Sequence, residues 1–450
     1  MTEPANPAID PAIPPSHDDS LLTELGWRGL LYQHTESLSA HLKARAPVTG
    51  YCGFDPTASS LHVGNLVPVM GLVHLQRHGH RPLVLVGGGT GLIGDPSGKA
   101  SERTLNTPEV VAANAESIRR QLERFLTFAG PTGALMRDNA DWLRPLGAIE
   151  FMRDVGKHFT INYMLAKESV RSRLEAGISY TEFSYMLLQS YDFLELHRRL
   201  GVSLQVGGSD QWGNMTAGME LIRRSAGGEA HVITFPLITK SDGTKFGKTE
   251  SGTVWLDPER TSPYRFYQFW YNADDRDVGR FLRFFSLLGR EEILALDETA
   301  ATDPAGRAAQ RALARDVTAR VHGDDALRAA EEVSGLLFGG RDPSTLSPSA
   351  LAALAREVPF AEVRADPALA DPAASGGSPA LADTLALFVD VGLAASRGAA
   401  KRLAEQGGIY VNGERRTLVE RFVREGDLLT GRHVLLRKGT RDYALVRLTP

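Results

Sequence analysis

The spacing of apolar and polar positions changes period several times along this chain. Residues 48–54 form a short apolar run that predicts a strand, and Asp55-Pro56 ends it, because proline has no N–H to give a neighbouring strand. From near Gly64 to about His78, Leu66, Val69, Met70, Val73 and Leu75 lie on the apolar side of a predicted helix. Residues 81–87 are a second compact apolar run, of the kind found in buried parallel strands. A helix with proline in its first turn is expected over 108–128, and a strand leading into a loop over 133–141. Residues 151–175 read as a Met-, Phe- and Tyr-rich helical insertion, of core or subunit-interface character. Further on, the pattern predicts a helix through 181–193, a strand at 202–207, a helix over about 215–224 and a last strand at 232–238. The alternation places the first half of the chain in the α/β class.

Beyond residue 262 glycine thins out and helical periodicity dominates to about 338. Residues 339–380 are rich in Pro, Ala, Ser and Gly and read as a linker with one short helix. The final stretch, 381–450, starts with a helix carrying Arg397, Lys401 and Arg402. The turn Val411-Asn-Gly-Glu and strand-like runs follow. Residues 1–20, Pro/Ala-rich and acidic, read as a disordered leader without the features of a signal peptide.

Composition adds limits. The 450 residues are 42% apolar and 23% charged, as in ordinary globular proteins, and are long enough for two to four domains. The single cysteine, Cys52, excludes a disulfide framework and a cysteine-based zinc site and fits a reducing, cytoplasmic setting. No apolar run reaches the length of about 18 residues that a membrane helix needs. The net charge of −4 is uneven: residues 392–447 hold 12 Lys/Arg against 6 Asp/Glu, so the rest of the chain sums to −10. A basic terminal module on an acidic body suits a polyanionic partner docking at one end.

Candidate chemistry gathers where strands end. At the turn from Asp55 into the helix, unpaired N–H groups and the helix dipole favour an anion. His62 and Asn65 there either face one ligand or only cap the helix, and Gly64 lets a flat group approach the backbone. The glycine-rich stretch 87–99 fits neither a P-loop nor a dinucleotide fingerprint. Its glycines are expected to bring the backbone close to a ligand, with Asp95 as the committed charge and Lys99 and Arg103 as mobile cations. Tyr185, Gln189 and Asp192, at i, i+4 and i+7, share one face of an otherwise apolar helix. Either they bond to neighbouring backbone or a polar ligand lies along them. Asp210 and Gln211 follow the strand at 202–207. Residues 239–249, with three lysines and little to hold them rigid, are either a solvated loop or a mobile one that delivers Lys245 and Lys248 to phosphates.

Together these segments resemble the bacterial tyrosyl-tRNA synthetase family over nearly the whole chain, from about Leu21 to Arg447. The two class I signatures are matched by His62-Val-Gly-Asn65 and Lys245-Phe-Gly-Lys-Thr249. Tyr51-Cys-Gly-Phe-Asp55 stands before them and Gly208-Ser-Asp-Gln-Trp-Gly between them. The resemblance implies a Rossmann-like catalytic domain over 21–261, a helical anticodon domain over 262–338 and a small α+β RNA-binding domain over 381–450. It implies tyrosine activation by ATP, with release of pyrophosphate, and transfer of the tyrosyl group to the 3′ end of tRNA(Tyr).

By the same resemblance, Thr57, His62 and Asn65 belong to the reacting phosphates and nucleotide, with Lys99, Arg103, Lys245, Lys248 and Thr249 around pyrophosphate. Gly53, Asp55, Gly64, Gly208, Asp210 and Lys248 fall on the ATP side. Tyr51 and Asp192 are assigned to the tyrosine phenol, Asp95, Tyr185 and Gln189 to its ammonium group, and Asn139 and Gln211 to the pocket wall. No resident metal is expected; Mg²⁺ would arrive with ATP. A homodimer is implied through the insertion near 151–164, with tRNA crossing both subunits. One position departs from the family: Asn65 stands where the first signature usually ends in His. The rivals are tryptophanyl-tRNA synthetase, against which Tyr51 and Asp192 argue, and an RNA-binding protein that has lost catalysis.

Overall fold

The computed structural model describes residues 20–97, 106–171, 177–244, 246–249, 252–371 and 379–450. Of the expected leader only Ser20 is described, and it caps the helix Leu21–Trp27. The chain divides into two compact units. One comprises Met1–Thr261 with Phe269–Val321, the other Ser262–Gln268 with His322–Pro450, so the division falls within the segment expected to be helical at 262–338.

The first unit is built on six strands: β1 (Gln33–His34), β2 (Thr49–Phe54), β3 (Arg81–Val86), β4 (Leu135–Asp138), β5 (Leu204–Gly208) and β6 (His231–Phe235). Their order across the sheet is β1-β6-β5-β2-β3-β4, parallel from β6 to β4, with β1 antiparallel at the edge. The chain builds outward from β2 through β3 to β4. It then crosses by the helix Tyr180–Leu200 to lay β5 on the other side of β2. The order therefore reverses between β2 and β5, and a crevice opens at their carboxyl ends, the usual ligand position in such sheets.

The period changes along the sequence mark these elements well. The helix Leu66–Arg77 buries Leu66, Val69, Met70, Val73 and Leu75, as expected, and also Val67 and Leu72. It is preceded by one 3₁₀ turn, Val63–Asn65. Two expectations are corrected. The helix from Pro108 stops at Leu122, after which Phe125 and Leu126 turn into the core. Residues 148–171 are four short pieces rather than one helix: Ala148–Asp154, Gly156–His158, Ile161–Leu165 and Glu168–Arg171. Gly156 weakens the helix at the first break. Thr160 restarts it at the second, its hydroxyl accepting from Tyr163 N at 3.3 Å.

The second unit corrects the linker expected at 339–380. Pro348–Leu354 is the one short helix, but Phe360–Arg364 is a strand, running parallel to Asp442–Thr449 as the edge of a five-stranded sheet. The helices Thr384–Asp390 and Arg397–Glu405 cover this sheet around a core of Phe388, Val434, Leu436, Ala444 and Val446. The Val411-Asn-Gly-Glu turn is present, with Asn412 and Gly413 at φ of 49° and 87°, the left-handed values such a hairpin turn needs.

Candidate active site

At the β2/β5 switch point lies a cavity of about 600 Å³. Its floor is the end of β2 from Tyr51 to Asp55, its walls are the ends of β3 and β5, and the helix Tyr180–Leu200 runs along one side. Tyr185, Gln189 and Asp192 line it together, so the face they share along the helix is turned to the cavity.

The deepest part is organised by Asp192, 2% exposed. Its Oδ2 accepts from Asn139 Nδ2 at 2.8 Å and its Oδ1 from Trp142 Nε1 at 2.7 Å. Burial pushes its carboxyl up to about 8, against the opposing effect of these two donors. Asn139 is the node of this region. Its Oδ1 accepts from Gly89 N at 2.7 Å, and its Nδ2 also donates to Thr90 Oγ1 at 2.9 Å. Beside Asp192, the Tyr51 hydroxyl is fully buried and has no hydrogen-bond partner among the described residues. Burial and the nearby Asp192 carboxylate push the phenol well above its usual range, so it is a neutral donor and acceptor. A buried hydroxyl left unpaired costs about 1–3 kcal/mol, which a ligand group can recover by bonding to it. Phe193 packs edge-on against the Tyr51 ring at 5.2 Å and fixes its direction.

Asp55 joins this region to the turn after β2. Its Oδ1 accepts from Thr90 Oγ1 at 2.7 Å and its Oδ2 from Tyr185 Oη at 2.8 Å. Gly87 makes room for the first of these bonds, since a Cβ there would lie 2.1 Å from Asp55 Oδ1. The close backbone approach read from this glycine run therefore serves the protein's own carboxylates, including Asp138, which accepts from Gly88 N at 3.1 Å. A third carboxylate, Asp95, accepts from Gln211 Nε2 at 2.6 Å and from Ser97 N at 2.9 Å. Asn214 Nδ2 donates to Gln189 Oε1 at 3.1 Å and to Gln211 Oε1 at 3.3 Å, holding both amides from behind. Burial and the neighbouring Asp95 raise the Asp210 carboxyl above its usual range.

The His62–Asn65 turn closes as a capping box. Gly64 N donates to His62 Nδ1 and His62 N donates to Asn65 Oδ1, both at 3.0 Å. An accepting Nδ1 leaves the ring proton on Nε2. The two readings of this turn are therefore compatible, because His62 and Asn65 cap it and also line the cavity. Gly64 does not line it: a Cβ there would meet the His62 ring at 2.9 Å, so its glycine makes room for that ring. Thr57, Gly53, Gly208 and Asp210 are all on the cavity wall.

The second signature comes to the same turn. Val63 N donates to Val254 O at 3.1 Å and Val254 N to Gly247 O at 3.0 Å, and a Cβ on Gly247 would strike Val63 Cγ2 at 2.7 Å. Lys248–Thr249 pairs antiparallel with Gly252–Thr253. The expectation that little holds this loop is corrected, because Phe246 packs against Phe269, Trp270, Phe281 and Phe285 at 5.1–5.8 Å. Lys99, Arg103 and Lys245 lie outside the described residues. The described wall holds four carboxylates, Asp55, Asp95, Asp192 and Asp210, and no lysine or arginine.

Sequence reasoning did not single out Thr90, Trp142, Gln205 or Asn214. Thr90, Trp142 and Asn214 lie in or beside stretches flagged for other residues, and Gln205 lies in a strand, but nothing in local spacing marks these four side chains. Gln205 is the β2–β5 register partner of Tyr51, and its buried Oε1 has no hydrogen-bond partner among the described residues.

Comparison with known proteins matches this architecture. A family model described as tRNA synthetases class I (W and Y) covers residues 43–339, and one for a tyrosine–tRNA ligase SYY-like C-terminal domain covers 377–446. The tyrosine–tRNA ligase of Anaeromyxobacter dehalogenans is 54% identical over 429 residues, spanning 95% of this chain and 99% of that protein. That of Thermobifida fusca is 53% identical over 441 residues, with the same coverage. Among solved structures, a C-terminally truncated mitochondrial tyrosyl-tRNA synthetase from Aspergillus nidulans superposes with a TM-score of 0.65 at 30% identity, covering 71% of this chain and 94% of that one. By its catalytic fold, its C-terminal module and its full-length relatives, the chain belongs to the tyrosine–tRNA ligase family of class I tRNA synthetases.

Proposed function

We infer that this chain activates L-tyrosine with ATP to tyrosyl-adenylate, releases pyrophosphate, and transfers the tyrosyl group to tRNA(Tyr). The observation that carries the choice of amino acid is the pair at the end of the cavity. Tyr51 offers a buried hydroxyl lacking a partner among the described residues, and Asp192 is a buried carboxyl fixed by Asn139 and Trp142. A phenol O–H placed there satisfies Tyr51 and donates to Asp192, whereas a phenyl ring leaves the Tyr51 hydroxyl unpaired. An indole, longer and with its N–H elsewhere on the ring, does not present an oxygen to them. Asp95, Tyr185 and Gln189, further along the same wall, suit the α-ammonium group, with Gln211 and Asn214 behind them.

The tyrosine carboxylate is already an anion, so its attack on the α-phosphate needs no general base. Positioning and charge stabilisation supply the rate. A triphosphate entering beside four carboxylates requires cations that the described wall does not hold. In this reading Lys99, Arg103, Lys245, Lys248 and Thr249 supply them, with Thr57, His62 and Asn65 as neutral donors near the α-phosphate. The adenosine would lie on the side of Gly53, Gly208 and Asp210. The residues fit Mg²⁺ as an escort of ATP rather than as a caged ion. Among the described residues no trio of ligand atoms gathers in the cavity, and Asp55 and Asp95 already accept two hydrogen bonds each. Mg²⁺ would neutralise phosphate charge there.

The helical segment and the basic C-terminal module are read as the tRNA-binding parts. Ile149, Met152 and Ile161, at 76%, 55% and 60% exposure, support a homodimer through the insertion. No helix among the described residues is long and apolar enough to cross a membrane, and the free thiol of Cys52 favours a cytoplasmic protein. ATP–pyrophosphate exchange with each amino acid in turn tests the function. Exchange with tyrosine alone is expected, exchange with tryptophan would transfer the chain to the sister specificity, and exchange with none would refute catalysis.

A further inference from the structure

The sheet of the first unit carries a second group of chemically capable side chains, at the end away from the cavity. There the parallel strands begin: His231 opens β6, and Ser203 immediately precedes β5. The helix Leu38–Arg45 brings His41 to the same point, so that the two imidazole rings lie 4.2 Å apart, tilted by 48°. Both histidines are buried, at 8% and 1% exposure, while Glu229 between them keeps 61% of its side chain in solvent. Its Oε1 is 3.4 Å from His231 Nε2 and its Oε2 is 3.8 Å from His41 Nδ1. The ligand atoms of all three lie within 4.8 Å of one another.

The outer ring nitrogens are held in turn. His41 Nε2 is 2.8 Å from Ser203 Oγ, and His231 Nδ1 is 3.1 Å from Thr35 Oγ1. Each ring is thus held from behind by a hydroxyl, at the nitrogen through which a metal-ligating histidine is commonly oriented. The inner His231 Nε2 is buried without a hydrogen bond among the described residues. Bonds of about 2.0–2.1 Å in a tetrahedral site set ligand atoms about 3.4 Å apart, and the gaps to Glu229 come close to that. An ordinary ion pair explains the group less well. Glu229 keeps most of its side chain in solvent, so a solvent-screened pair to it has little strength. Two imidazoles and a carboxylate, reachable from solvent through Glu229, are a donor set for a borderline divalent cation.

We propose that His41, His231 and Glu229 form a three-ligand site for Zn²⁺ or a similar divalent cation, with solvent in the fourth position. The site clamps the helix Leu38–Arg45 to the starts of β5 and β6. β6 runs its five residues, at about 3.3 Å each, between this site and the ATP cavity, so the ion is structural and separate from the phosphate chemistry.

The test uses the tag-free full chain, stripped with a chelator and titrated with Zn²⁺ by calorimetry and with Co²⁺ by visible absorption. The expected result is one ion per chain, tetrahedral-type Co²⁺ bands, a Tm raised by Zn²⁺, and no binding of Mg²⁺ at this site. Glu229→Ala, at an exposed position, is expected to weaken Zn²⁺ at least tenfold and abolish the Tm shift, leaving tyrosine-dependent pyrophosphate exchange unchanged. His41→Gln should do the same to the metal if the variant remains folded by circular dichroism. No ion uptake by the wild-type chain, or uptake unaltered by Glu229→Ala, would overturn the site.

Discussion

Asn139 Nδ2 lies 2.8 Å from Asp192 Oδ2, and this bond joins the loop after β4 to the middle of the helix Tyr180–Leu200. The same amide holds Gly89 N and Thr90 Oγ1, so one side chain sets both the acceptor proposed for the substrate phenol and the backbone of the glycine run. Asn139→Ala strips partners from three buried groups at once. Leaving a buried polar group unpaired costs about 1–3 kcal/mol, so KM for tyrosine should rise at least tenfold and Tm should fall. Pyrophosphate exchange over a tyrosine series, together with a melting curve, measures both; an unchanged KM would remove Asn139 from the specificity network.

Asp192 should leave a signature in stability against pH. Its carboxyl lies near 8 in the folded chain and near the ordinary carboxylate value of about 3.9 when unfolded. Between those values the folded state holds one proton more than the unfolded state, so stability falls as pH rises across the window and levels off above it. Melting wild type and Asp192→Asn from pH 4 to 9 should show this decline in wild type and its absence from the variant. Parallel curves would mean that Asp192 is ionised throughout.

Asn65 has two separable duties. Its Oδ1 caps the turn by accepting from His62 N at 3.0 Å, while its Nδ2 is the donor proposed for ATP. Asn65→Ala should lose both, with about 0.5–2 kcal/mol of stability and a raised KM for ATP. Asn65→Asp keeps the acceptor and loses the donor, so Tm should hold while KM for ATP still rises. If Asn65→Asp leaves that KM at the wild-type value, position 65 is a cap and nothing more.

Lys245 and Lys248 are proposed to carry the charge that the acidic wall lacks. Groups that stabilise charge mainly in the transition state act on kcat, so each Lys→Ala change should lower kcat for exchange by about 10²–10³. KM for tyrosine, whose proposed contacts are Tyr51 and Asp192, should scarcely move. Equal losses in both constants would argue instead for a disturbed fold around Phe246.

The basic module offers a test of tRNA binding. Lys401 and Arg402 are exposed on the helix Arg397–Glu405, whereas Arg397 is paired with Asp383 at 2.6 Å. Reversing Lys401 and Arg402 to Glu should weaken tRNA charging, and the slope of log affinity against log salt should drop by about 2. Exchange without tRNA should be unaffected. Deletion is the poorer experiment: cutting at residue 392 would leave Phe360–Arg364 without its partner strand and open the core around Phe388.

By itself the sequence determined the period of most elements of the first unit and the chemistry at their ends. Alternating runs made an α/β unit, Asp55-Pro56 stopped β2, and the i, i+4, i+7 spacing of Tyr185, Gln189 and Asp192 put them on one helical face. These are local properties, set by backbone geometry within about ten residues. Only the tertiary structure decided what each buried group meets. It paired Asn139 with Asp192, set Gly247 against Val63, and gave Phe246 four aromatic neighbours that pin a loop whose lysines suggested mobility. It also recovered a strand, Phe360–Arg364, from proline-rich surroundings, and gathered His41, Glu229 and His231 from segments almost two hundred residues apart. Such partners are chosen by burial: a polar group removed from water must bond to whatever the packed elements bring near it, and chain spacing does not encode that neighbour.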